Sequence, residues 1–143
     1  MFSDTYYHQL DGKGRLRLPA KLRAELGGSF ILMPGMNNTI TIKPQSAYHD
    51  MCEKYSKYDE NDVELQEVIS EIMGSIKQVE EDSQGRFVIP QKYLAQAGIE
   101  KNVVIKGVLN RIEIWSEENH ENRKTKRSMN EMLTMLKKAD QNG

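Results

Sequence analysis

The sequence predicts an α+β protein made of two tandem copies of one small unit that share a β-rich core, with helices on the flanks. Three observations predict this. Residues 11–21, Asp-Gly-Lys-Gly-Arg-Leu-Arg-Leu-Pro-Ala-Lys, recur as residues 82–92, Asp-Ser-Gln-Gly-Arg-Phe-Val-Ile-Pro-Gln-Lys, and self-similarity of this kind marks a duplicated structural unit. Around each copy, short runs of branched and aromatic residues are bounded by Gly, Pro and Asn, the pattern of strands and turns. After each copy, apolar residues recur at three- and four-residue spacing, the pattern of amphipathic helices. The match continues through Ala24/Ala95 and Gly27/Gly98. After one inserted residue it resumes at Gly35/Gly107, Asn38/Asn110, Ile40/Ile112 and Ile42/Ile114.

The first unit reads as a strand over 5–10, a tight turn at Asp11-Gly-Lys-Gly14 and a strand over 15–18, together a hairpin. Pro19 fits the first position of a helix, where a missing amide costs nothing, and Leu22, Leu26 and Gly27-Gly28 define about two turns and their end. Strands over 30–33 and 39–43 flank the turn Pro34-Gly-Met-Asn-Asn38. The second unit repeats the order with strands at 76–80 and 86–89, a helix from Pro90, and strands at 102–106 and 111–115. Ala47, Tyr48, Met51, Cys52 and Tyr55 share one helix face, and Asn61-x-x-Glu64 opens a second helix through Leu65, Val68, Ile69, Ile72 and Ile76. Ser116-Glu-Glu caps a further helix whose later part carries Met129, Met132, Leu133, Met135 and Leu136, a stripe suited to core or subunit packing. The expected organisation is a first unit with its trailing helix at 1–57, a connecting acidic helix at 58–75, and a second unit with its C-terminal helix at 76–143.

Composition narrows the function. With 29% charged and 38% hydrophobic residues in 143, each half is too small to bury a large core alone, so assembly with partners is expected. The single cysteine, Cys52, excludes an internal disulfide and a thiolate-rich zinc site, and a reducing, cytoplasmic setting fits. The first residues lack a basic segment followed by an apolar run, and no stretch approaches the roughly 18 apolar residues of a membrane span; neither export nor anchoring is expected. The net charge of −1 conceals segregation. Lys13, Arg15, Arg17, Lys21 and Arg23 face only Asp11, whereas Asp59, Glu60, Asp62, Glu64, Glu67 and Glu71 have no basic residue among them. A later cluster, Arg123, Lys124, Lys126 and Arg127, reads as a solvated face.

Catalytic patterns fail one by one. Gly12-Lys-Gly lacks the spacing and the Ser/Thr of a phosphate-binding loop. His8, His49 and His120 have no spacing that places two on one helix face, so no metal site is expected. There is no Gly-x-Ser-x-Gly elbow, and Cys52 lies in an apolar stripe as a buried structural thiol would. No enzyme activity and no cofactor are expected.

The repeated Asp-x-x-Gly-Arg core has two readings. As structure, Asp11 or Asp82 accepts amide hydrogen bonds in its own turn, Gly14 or Gly85 supplies a positive φ, and the arginine pairs with an acid across an interface. As function, the added Lys13, Arg17 and Lys21 make a density of positive charge that calls for an anion. Alternation in Arg15-Leu-Arg-Leu sends both arginines to one side of a strand, away from the leucines. Arginine's planar fork grips phosphate or a guanine edge, and a two-stranded ribbon fits the major groove.

On these residues the sequence resembles the MraZ family of bacterial transcriptional regulators. The marks are the doubled Asp-x-x-x-Arg at Asp11–Arg15 and Asp82–Arg86, each followed at the same distance by Pro19 or Pro90. The resemblance implies two SpoVT/AbrB-like swapped-hairpin units forming a pseudo-twofold core. It implies a cytoplasmic, nucleoid-associated protein and a ring-shaped homo-oligomer, an octamer or larger. It further implies binding to promoter direct repeats of the division and cell-wall gene cluster, usually as a repressor. Carried over residue by residue, Arg15 and Arg86 are the principal DNA contacts, joined by Lys13, Gln84, Arg17 and Lys21, while Asp11, Gly14, Asp82 and Gly85 hold the turns. Lys13 and Gln84 differ at matching positions, a departure from internal symmetry. Two other classes fit the same chain: an AbrB-like, antitoxin-like protein-interaction module, and an RNA-binding protein, the latter disfavoured by hairpins poor in exposed aromatics.

Overall fold

A computed structural model describes all 143 residues. The first copy comprises β1 (Thr5–Gln9), β2 (Arg15–Arg17), α1 (Ala20–Leu26), β3 (Ser29–Pro34), β4 (Ile40–Pro44) and α2 (Gln45–Ser56). After α3 (Val63–Gly74), the second comprises β5 (Lys77–Glu80), β6 (Arg86–Val88), α4 (Gln91–Ala97), β7 (Asn102–Val108), β8 (Arg111–Ser116) and α5 (Glu117–Asn122), and α6 (Met129–Asn142) follows. Six strands form one antiparallel sheet in the order β1-β7-β8-β4-β3-β5, and β2 pairs with β6 in a separate two-stranded ribbon. Exchanging each strand for its copy reverses the order and leaves it unchanged, so the fold has a pseudo-twofold axis at the β4–β8 seam. There Ile40 lies opposite Ile114 and Ile42 opposite Ile112.

The copies are interlocked. β1 pairs with β7 and β5 with β3, so the first strand of each copy edges the other copy's half of the sheet. The apolar residues of one sheet face, among them Phe30, Leu32, Ile42, Ile105 and Ile112, are buried against Leu16, Leu18, Phe87 and Ile89 of the ribbon and Leu22, Tyr93 and Leu94 of the short helices. The rings of Phe30 and Phe87 meet edge to face, centroids 4.9 Å apart, joining sheet to ribbon. The Tyr93 hydroxyl donates to the Ser75 carbonyl, tying the end of α3 to α4. No helix is long and apolar enough to cross a membrane.

Several local expectations are corrected. The strands flanking each Asp-Gly turn do not ladder with one another; β1 and β2 lie in different sheets, because burying Leu16 and Leu18 requires β2 to leave the edge of the large sheet. Pro19 and Pro90 are N-caps rather than first helical residues, their ψ of 142° and 144° being extended. The cap of α3 is Asp62, whose carboxylate accepts from the Leu65 amide, and not Asn61, whose amide donates to Asp59. The helix begun at Ser116 stops at Asn122, and α6 starts anew with Ser128 as its cap. The repeat alignment also shifts: the pairing register makes Pro34, not Gly35, the counterpart of Gly107, while Ile40/Ile112 and Ile42/Ile114 hold. One residue, Gly28, separates Gly27 from β3, against three, Ile99, Glu100 and Lys101, between Gly98 and β7, and the following turn is shorter in the second copy.

Phe87 is 3% exposed and is the ribbon's main anchor to the sheet. Phe87→Ala is expected to lower the free energy of unfolding by about 3–5 kcal/mol, as large-to-small changes in aromatic cores do. An unaltered midpoint in a urea titration would show that the ribbon is not held through this ring.

Candidate nucleic-acid interface

Each Asp–Arg turn closes on itself. The Asp11 amide donates to the Arg15 carbonyl at 3.0 Å and the Gly14 amide to the Asp11 carbonyl at 3.1 Å; Asp82, Arg86 and Gly85 repeat this at 2.8 and 3.0 Å. One carboxylate oxygen of Asp11 accepts the amides of Lys13 and Arg15, both at 2.9 Å, and the other accepts Arg15 Nε at 2.7 Å. Asp82 does the same for Gln84 and Arg86, with Arg86 Nε at 3.0 Å. Gly14 and Gly85 sit at φ of 72° and 75°, where a Cβ is strained, and a Cβ on Gly85 would also collide with the Arg23 guanidinium.

The acid that pairs each arginine is therefore inside its own turn, not across an interface. Only Nε is engaged. The Nη groups of Arg15 and Arg86 have no partner in the chain, and the two side chains are 25% and 30% exposed. The aspartate clamps the stem of the guanidinium and leaves its outer edge to solvent, an orientation that presents two parallel donors to a planar acceptor.

The ribbon brings the two turns together. Arg15 lies opposite Val88, Leu16 opposite Phe87 and Arg17 opposite Arg86. Leu16 and Phe87 point into the core, so Arg15, Arg17, Arg86 and Val88 share the outer face. Arg15 and Arg86 are diagonal neighbours, about 7–8 Å apart in such a register and somewhat closer between Cβ atoms. Arg17 directly faces Arg86, a like-charged pair that disfavours the ribbon unless an anion intervenes. Lys13 and Gln84 are exposed on the two turns, and Lys21 is exposed on α1.

Arg23 leaves the basic patch. Its Nη2 lies 2.9 Å from Glu81 of the other copy, and it packs over the second turn. At the matching positions of the first turn stand Leu10 and Leu94, both 5% exposed. One turn is thus supported by an ion pair and the other by a leucine pair. The sequence carries the signal as a joint departure from the repeat, since Leu10/Glu81 and Arg23/Leu94 change together.

A single chain whose two copies exchange strands about a pseudo-twofold axis and set paired Asp–Arg turns on one ribbon is a doubled swapped-hairpin protein of the SpoVT/AbrB-like class. The family described as "MraZ protein, putative antitoxin-like" matches residues 1–67 and 72–140, and the chain belongs to that family. It is 38% identical over 130 residues to the transcriptional regulator MraZ of Finegoldia magna, covering 91% of each chain. It is 37% identical to that of Clostridium tetani, covering 85% of each, and 40% identical to that of Caldicellulosiruptor bescii, covering 83% of each.

The Arg15 amide first, with the Arg15 guanidinium and the Lys13 amide, holds the Asp11 carboxyl down to about 2 from its ordinary 3.8, and together they outweigh the opposing effect of desolvation; Asp82 is lowered in the same way, the Arg86 amide first. The fold thus favours the ionised forms. The contribution of Asp11 to stability is complete above 3.8 and is lost as the pH falls through about 2, and that of Asp82 is lost in the same direction. An NMR titration of the Asp11 carboxyl is expected to show a midpoint near 2, and Arg15→Ala is expected to return it only part of the way, because the residue 15 amide remains. A midpoint at the ordinary value in the intact protein would mean that the turn is open in solution.

Proposed function

We propose that this chain is a sequence-specific DNA-binding transcriptional regulator, a repressor acting at promoter direct repeats of the division and cell-wall gene cluster in the cytoplasm, at the nucleoid. The observation that carries this reading is the pair of Asp-clamped arginines on one ribbon face, with Arg17 beside both and their Nη edges unpartnered. Arg15 and Arg86 are the principal contacts. Lys13, Gln84, Arg17 and Lys21 flank them, and Asp11, Gly14, Asp82 and Gly85 hold the geometry. The names of the relatives, transcriptional regulators, support it.

The short diagonal between the arginines makes each protomer one reading head on adjacent base pairs. It does not make two heads a helical turn of about 34 Å apart. Direct repeats are then matched by successive protomers of a homo-oligomeric ring, whose multivalency raises affinity. Support for assembly lies in α6, where Met129, Leu133, Met135 and Leu136 are 51–65% exposed and lie outside the core. The sequence assigns this stripe to core or subunit packing, and the core of one protomer does not take it up. We assign residues 1–57 and 76–143 to the two copies, with 58–75 as their connection.

Arg15→Ala with Arg86→Ala is expected to abolish binding to the promoter duplex while leaving the assembly intact. Single variants should weaken binding and shallow the slope of log K against log salt by about 0.9 for each phosphate no longer neutralised. A double variant that shifts the duplex normally, or that no longer assembles, sinks the assignment. Leu133→Glu with Leu136→Glu is expected to reduce the mass measured by light scattering without unfolding the protomer. A stoichiometric second protein co-purifying through α6 would instead favour the antitoxin-like reading.

A further inference from the structure

We propose that a cleft on the outer face of the sheet, in the second copy only, binds a purine nucleoside diphosphate. The cleft encloses about 480 Å³ and is lined chiefly by Tyr7, Lys106, Trp115, His120, Arg123 and Lys124. Its size is that of a site for a small organic ligand. Register places Tyr7 and Trp115 on either side of β7, each aligned with Val104, and Lys106 beside them on the same face. α5 lays His120 between the two rings, edge to face with Tyr7 at 6.3 Å and with Trp115 at 5.7 Å. Lys106 Nζ stands 5.9 Å from the Trp115 ring centre. The Tyr7 ring, 58% exposed, offers a surface on which a base can stack, and Lys106, Lys124 and Arg123, the last also donating through Nη1 to Asn37 Oδ1 at 3.2 Å, line the same cleft and can take phosphates.

The nearby acids do not cancel this charge. Glu113 is held by Arg111 at 3.0 Å and by the Trp115 indole N–H at 3.1 Å, and Glu121 is 55% exposed to solvent. His120 is 6% exposed, yet its Nδ1 has no hydrogen-bond partner, the nearest carboxylate oxygen being 4.0 Å away. A buried polar atom left unsatisfied requires a reason, and a ligand in the adjoining cleft supplies one. Burial, and then the Lys106 charge, hold the His120 ring below its usual pKa.

The fold does not require these residues. The pairing register places Gln78, Met33, Lys43 and Tyr48 at the positions of Tyr7, Lys106, Trp115 and His120 in the first copy, which so keeps one ring and one charge but not the pair of rings flanking the central strand with a lysine beside them. There, Met33, Met51 and Ile72 line an open cleft together with Lys43, Arg111 and Glu113, so the first copy's outer face differs in its lining and not in being closed. The apolar stripe of α6, the following helix in the second copy, has no match in a rim of lysine and arginine.

Trp115 is the only tryptophan, so its emission reports the cleft. With the full chain, ADP is expected to quench Trp115 saturably with a Kd below about 1 mM. Lys106→Ala and Arg123→Ala should each weaken binding about tenfold, the effect of removing one charge-assisted hydrogen bond. Adenosine alone and inorganic pyrophosphate alone should bind at least about tenfold more weakly than ADP, because each fills half the site. Arg15→Ala with Arg86→Ala should leave ADP binding unchanged, which separates this site from the duplex-reading ribbon. Absence of saturable quenching, quenching that survives both Lys106→Ala and Arg123→Ala, or loss of ADP binding in the ribbon variant overturns the proposal.

Discussion

Three residue pairs, Arg15 with Val88, Leu16 with Phe87 and Arg17 with Arg86, determine what the rest of the chain can present. A ribbon this short is not stable alone. It persists because Leu16 and Phe87 are driven into a core where each is almost wholly hidden from water, and the strand period of two then forces their neighbours outward. The same burial that holds the ribbon aligns the guanidinium groups. A one-residue slip would turn the arginines into the core and the leucines to solvent, so the register is strongly specified.

Interlocking follows from the same constraint. Each copy supplies the strand that completes the other copy's half of the sheet, so neither half has a finished hydrophobic core by itself. Burial is shared across the pseudo-twofold axis. The turns draw their rigidity locally, from a carboxylate that accepts two amides and a guanidinium. Long-range packing decides where the turn sits, and short-range hydrogen bonding decides which way its arginine points.

Duplication of the backbone has not preserved the chemistry placed on it. An ion pair, Arg23 with Glu81, supports one turn where Leu10 and Leu94 support the other. A partly buried ion pair and a leucine pair fill comparable space, and a well-packed apolar pair can replace a buried ionic one without loss of stability. The charges of the two turns differ as well: Lys13 and Arg17 stand where the second copy has Gln84 and Val88. The ribbon face is therefore more cationic on one side of the axis than on the other, and an anion lying across it meets unequal ends.

By itself the sequence determined the doubled unit, its strand–helix order, the self-bonded Asp–Gly turns and the outward side of Arg15 and Arg17, because these follow from glycine's φ, short-range hydrogen bonding and the two-residue period. It did not determine which strands pair: adjacency along the chain suggests that β1 ladders with β2, whereas both bind elements of the other copy. Nor did it show that Arg23 is neutralised by a residue of the other copy, or that most of the Met129–Leu136 stripe is exposed. The tertiary structure alone decided these, because pairing partners and burial depend on where the whole apolar surface can be hidden, and that is a property of both copies together. Tyr7, Lys106, Trp115 and His120, scattered through the sequence without a motif, meet only because β1, β7, β8 and α5 converge in the folded sheet.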